Sequence, residues 1–92
     1  MSDPVTRCHE IVNVKGLHAR ASAKLVETVE GFDATATVRK DGLDAAGDSI
    51  MGLLMLAASK GTTIEVETSG SEAAALADAL ESLIASGFGE ED

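Results

Sequence analysis

No tryptophan or tyrosine occurs in this 92-residue chain, and Phe32 and Phe88 are its only phenylalanines, so any core it builds is aliphatic. It has a single cysteine, Cys8, which cannot close an internal disulfide and agrees with a reducing compartment. That thiol reads as buried or on an edge strand. No apolar run is long enough to span a bilayer, and the first residues lack the apolar segment of a signal peptide, so the expected location is the cytoplasm. Basic residues are scarce, 7 against 16 acidic, for a formal charge of −9. Binding to nucleic acid or to an acidic membrane rests on lysine and arginine, so both partners are excluded. Part of the negative charge is Glu90-Glu91-Asp92, within an acidic tail over 89–92 that reads as solvated. Metal ligation is also excluded. Cys8 and His9 are neighbours that a strand would point to opposite faces, and no fourth ligand is spaced to join them with His18. His9 has no arginine or helix start beside it and reads as structural or exposed.

What remains is the pattern of one small domain, residues 1–92, with elements in the order βαββαβα. The first strand is expected over Arg7 to Val14 and the first helix over Ala19 to Glu30, with Gly31 as its stop. Phe32, Ala34, Ala36 and Val38 alternate with polar residues as in a half-buried strand. Asp41-Gly42 then favours a type I′ turn into a strand over Leu43 to Ala46. Asp48 or Ser49 caps a second helix whose inward stripe is Leu53, Leu56 and Ala57. Ile64 and Val66 mark a fourth strand. Ser69-Gly70-Ser71 turns into a third helix, buried along Ala73, Leu76, Leu80, Leu83 and Ile84 and ending at Gly87. This order implies an α+β two-layer domain with helices on one face of a sheet. The opposite face would be open to water, which Thr35, Thr37, Thr63, Glu65 and Glu67 tolerate.

The chemistry concentrates in Gly16-Leu17-His18-Ala19-Arg20. Gly16 permits the turn from strand to helix, and Ser22, Leu25, Val26 and Val29 set one buried helical face behind it. His18 therefore falls near an N-cap, where unpaired amides and the positive end of the helix dipole welcome an anion. The same end disfavours imidazolium and keeps a nucleophilic ring nitrogen. Arg20 adds a planar donor fork suited to phosphate oxygens. The arrangement suits a histidine that accepts a phosphoryl group. A His-x-Arg pair alone is a weak signal.

Gly16 through Ala23, Ser49-Ile50-Met51-Gly52-Leu53 and the strand-turn-helix from Gly61 to Leu83 together resemble HPr, the histidine-containing phosphocarrier family of the bacterial phosphoenolpyruvate-dependent phosphotransferase system. The resemblance covers nearly the whole chain. It implies an open-faced β-sandwich, four antiparallel strands carrying three helices on one side. It also implies that phosphorylated enzyme I donates to Nδ1 of His18, and that His18 donates to a histidine of an enzyme IIA-type protein. His18, Ala19 and Arg20 would hold the phosphate. Ile50, Met51 and Leu54 would form an apolar docking patch, and Ser49 matches a regulatory serine modified by an HPr kinase/phosphorylase. No metal or organic cofactor is implied, because transfer between two imidazoles needs positioning and electrostatics. The unit is taken as a monomer, and whether such a carrier is termed an enzyme is a matter of definition.

Two features depart from the common pattern. Ala21 stands where many relatives have proline, and Glu27 and Glu30 stand where lysines are frequent, leaving Lys24 as the basic residue of that face. The acidic positions open the possibility of a nitrogen-related branch in place of the sugar branch. A regulatory binding module that docks through the second helix with Ser49 as its switch is the alternative reading. A small phosphatase using Asn13 and Arg20 is a third, weakened by the absence of a compact glycine-rich phosphate loop.

Overall fold

A computed structural model describes residues 3–90. The elements are β1 (Val5–Glu10), α1 (Ala19–Glu30), β2 (Thr35–Lys40), β3 (Leu43–Ala46), α2 (Ile50–Met55), β4 (Thr63–Ser69) and α3 (Ala73–Ala85), followed by a 3-10 turn at Gly87–Gly89. All neighbouring strands are antiparallel, in the spatial order β1-β4-β2-β3. The period of two explains the layering. Ile64, Val66 and Thr68 of β4, Ala36 and Val38 of β2 and Ala45 of β3 are buried on one face. Three helices cover that face with Leu25, Val26 and Val29 of α1, Leu53 of α2, and Leu76, Leu80 and Ile84 of α3, joined by Ile11, Leu56 and the ring of Phe88 in one largely aliphatic core. Among the described residues no helix is long and apolar enough to cross a membrane.

The other face is open, and it carries a cluster of ion pairs. The Arg39 guanidinium on β2 reaches Glu67 at 2.7 Å, Glu65 at 3.1 Å and Asp44 at 3.4 Å. These carboxylates raise the arginine pKa, Glu67 first. Cys8 is exposed on β1, an edge strand. His9 lies half-buried, and burial is the first cause of its lowered pKa.

Three boundaries and the burial of one residue differ from the sequence expectation. β1 spans Val5–Glu10 and not Arg7 to Val14. Ile11 still pairs with the residue before β4, through Ile11 N–H to the Thr62 carbonyl at 2.9 Å, but a turn closed by Gly16 N–H on the Asn13 carbonyl follows at once. β2 begins at Thr35, because Asp33 is held by the start of α3: its N–H donates to the Glu72 carboxylate at 2.6 Å and its carbonyl accepts from Glu72 N–H at 3.0 Å. α2 stops at Met55, so Leu53 and Leu56 are buried while Ala57 turns outward at φ 52°. Leu83 of α3 is only partly buried. The Asp41-Gly42 hairpin has positive φ at both residues, 51° and 82°, as a type I′ turn requires.

Glu90 is the further difference. It does not stand free as part of a solvated tail but folds back on His18 and Asn13. Glu91 and Asp92 lie outside the described residues.

Candidate functional site

The loop from Ile11 to Leu17 delivers His18 to the start of α1. Gly16 sits at φ 64°, and a Cβ there would lie 2.3 Å from the Ala58 carbonyl oxygen, so both conformation and space demand glycine. That carbonyl accepts from Leu17 N–H at 2.9 Å, which ties the loop before α1 to the loop after α2. Leu17 is buried between them. The next residue must leave the core, and His18 takes extended backbone angles as the N-cap of α1.

The imidazole performs the capping itself. Nδ1 accepts from Arg20 N–H at 3.2 Å, while the His18 carbonyl accepts from Ser22 N–H at 2.9 Å to begin the helix. An amide N–H can only donate, so Nδ1 carries the lone pair and the ring proton belongs on Nε2. Nε2 faces the Glu90 carboxylate. The other oxygen of that carboxylate accepts from Asn13 Nδ2 at 2.8 Å, and Asn13 Nδ2 also donates to the Gly16 carbonyl at 2.8 Å. Two acceptors on one nitrogen fix the orientation of this fully buried amide. The bonds from Asn13 and then His18 hold the Glu90 carboxyl below its ordinary range.

The sequence-predicted residues are brought together in part. His18, Ala19 and Arg20 form the first turn, with the Arg20 side chain exposed and its guanidinium without a hydrogen bond or ion pair among the described residues. His18 borders a shallow hollow of about 240 Å³ lined with Lys15, Leu17, Ala57, Ala58 and Ser59. A larger hollow near 360 Å³ lies by Val29, Phe32 and Ala36 and contains only Glu30 and Asp48 as ionisable groups. Size does not identify the site here. The smaller hollow is the one with the histidine, a lysine and a helix N-terminus.

Ser49 is the N-cap of α2, its Oγ accepting from Gly52 N–H at 3.0 Å. It does not share the hollow with His18, being at the opposite end of a helix about 9 Å long. Between them Ile50 and Met51 are exposed, Met51 to 69%, and Leu54 is half-buried. Met55, which sequence reasoning left out of this surface, is exposed to 74%. Val12 and Val14 add further exposed apolar area from the loop before α1.

Sequence reasoning also missed Glu90 and the part played by Asn13. Asn13 had a signal, an asparagine three residues before a glycine at a strand end, which favours a side-chain-stabilised turn. Glu90 had none, since its place depends on a return path that only the packed core defines.

An open-faced α+β sandwich with a histidine capping its first helix is the architecture of one known group of proteins. Residues 5–86 match the family model described as the PTS HPr component phosphorylation site, and the chain belongs to the HPr family. It is 51% identical to the phosphocarrier protein HPr of Neisseria meningitidis serogroup A over 81 residues, 88% of this chain and 91% of the relative. The phosphocarrier protein NPr of Escherichia coli K12 is 43% identical over 83 residues, covering 89% and 92%. Among solved structures, HPr-C-His from Thermoanaerobacter tengcongensis superposes with a TM-score of 0.88 at 37% identity, covering 99% of this chain and all of that one. The family role is that of a phosphocarrier of the phosphotransferase system.

Proposed function

We propose that His18 accepts a phosphoryl group on Nδ1 from phosphorylated enzyme I and delivers it to a histidine of an enzyme IIA-type protein. The observation that carries this reading is the Nδ1 lone pair, which carries no proton and is turned to the N-terminus of α1 by the Arg20 N–H. In the forward step that lone pair forms a bond to phosphorus while the bond from phosphorus to the donor imidazole breaks, its electron pair returning to the donor nitrogen. The amide of Arg20, released from Nδ1, joins those of Ala19 and Ala21 as donors to the phosphate oxygens, and the Arg20 fork adds charge. Delivery to the acceptor reverses these roles. No proton has to leave His18 in either direction.

Ile50, Met51 and Leu54 would seat both partners, since an apolar surface beside the reacting histidine suits sequential docking. Phosphorylation of Ser49 by an HPr kinase/phosphorylase would place about two negative charges at the start of α2, compatible with the helix but adverse to docking. The chain would work as a cytoplasmic monomer. Relatives named HPr and NPr both match over most of the chain, which fits an enzyme IIA-type acceptor of the sugar or the nitrogen branch.

The test is intact-mass analysis after incubation with phosphoenolpyruvate, Mg²⁺ and a matched enzyme I. One acid-labile phosphate, absent in His18→Ala, is the expected result. A folded wild type that takes no phosphate would overturn the reading and favour a regulatory module that docks through α2.

A further inference from the structure

We propose that Glu90 is a positioning residue that fixes His18 in the Nε2-protonated tautomer and so presents Nδ1 as the nucleophile; this rests on the carrier reading above. Four independent contacts bring Glu90 to the ring. Phe88 is fully buried in the core and anchors the returning segment. Its carbonyl accepts from Lys24 Nζ of α1 at 2.6 Å, fastening the segment to the same helix that His18 caps. Glu90 N–H donates to the Gly87 carbonyl at 3.1 Å, closing the turn. Asn13 Nδ2, itself locked by the Gly16 carbonyl, then holds one carboxylate oxygen and leaves the other for Nε2.

The consequence is chemical. A neutral imidazole has one N–H, and the nitrogen that holds it cannot attack phosphorus. Arg20 N–H selects against a proton on Nδ1, and Glu90 selects for one on Nε2, so both neighbours choose the same tautomer. When Nδ1 bonds to phosphorus the ring becomes cationic while Nε2 keeps its hydrogen. The carboxylate, already in contact, stabilises that charge without moving. On delivery the Nδ1–phosphorus bond breaks, its electron pair returns to the ring, and the same neutral tautomer is restored.

The experiment compares wild type, Glu90→Ala and Glu90→Gln by long-range ¹H–¹⁵N correlation of the imidazole nitrogens, without phosphate. There are two histidines, and His9→Asn assigns them. Wild type is expected to show the Nε2-protonated pattern, Glu90→Ala a mixture, and Glu90→Gln, whose amide oxygen still accepts, a pattern near wild type. Transfer from phosphorylated enzyme I should slow about tenfold in Glu90→Ala, the scale of one charge-assisted hydrogen bond, and less in Glu90→Gln. Circular dichroism melts check that both variants fold. Unchanged His18 nitrogen shifts in Glu90→Ala overturn the proposal, and so does faster transfer in that variant, which would make Glu90 a barrier. Failure of wild type to accept phosphate overturns the carrier reading instead, and the tautomer measurement still judges Glu90.

Discussion

At the scale of single residues, the site is a competition for the two nitrogens of one ring, and its acid sensitivity follows from Glu90. The hydrogen bond from Asn13 comes first among the causes that lower the Glu90 pKa, followed by the bond to His18, with charge from His18 and Lys15 adding to them. Because the folded value lies below the unfolded one, the unfolded chain binds the extra proton between the two, and stability rises with pH across that window. The contribution of Glu90 is thus complete above its ordinary value of 4.5 and is lost as pH falls through the lower folded value. A series of melts from pH 7 to pH 3 on wild type and Glu90→Gln checks this. The advantage of wild type should be constant at the upper end and vanish at the lower. A difference that persists unchanged at the acid end would mean that the carboxylate is not the group responsible.

At the scale of elements, α2 is where stability and recognition can be separated. Six residues are too few for a helix to persist alone, so its cap and the burial of Leu53 and Leu56 hold it. Ser49→Ala removes the Oγ that accepts from Gly52 N–H and should cost about 1 kcal/mol in urea denaturation. Ser49→Asp keeps a capping carboxylate and should fold within about 0.5 kcal/mol of wild type, yet slow phosphoryl transfer through its added charge. Met51→Glu, on an exposed side chain, should likewise leave the melting temperature alone and weaken transfer. Equal transfer rates in wild type and Met51→Glu would remove this surface from the docking site. The start of α1, the hairpin and the cap of α2 were legible in the sequence because each is local: Gly16 before His18, Asp41-Gly42, and Ser49 three residues before Gly52. The ends of β1 and β2 were not. Asn13 and Asp33 are claimed by partners across the fold, Glu90 and Glu72, and alternation of hydrophobicity has no term for a long-range hydrogen bond. The outward turn of Ala57 was hidden for a related reason, since α2 stops where its following loop must meet Leu17.

At the scale of the whole molecule, one core residue, Phe88, carries the returning chain to the site. Phe88 is among the largest fully buried side chains, and it holds φ 59°, a left-handed conformation that costs an ordinary residue about 1 kcal/mol or more. Burial of the ring offsets that strain and sets the path of the chain to Glu90. Phe88→Ala should cost about 3–5 kcal/mol, a large share of the ~5–15 kcal/mol that holds a domain together. Phe88→Leu keeps most of the apolar volume and should cost far less. With no tryptophan or tyrosine to report by fluorescence, urea unfolding is followed by circular dichroism. If the aromatic anchor is what aims the carboxylate, Phe88→Ala, in the fraction that remains folded, should show the same mixed His18 tautomers as Glu90→Ala, while Phe88→Leu should resemble wild type. Wild-type nitrogen shifts in folded Phe88→Ala would place the aim of Glu90 with Asn13 and Lys24 alone. The site would then be held by its polar contacts, independent of the core beneath it.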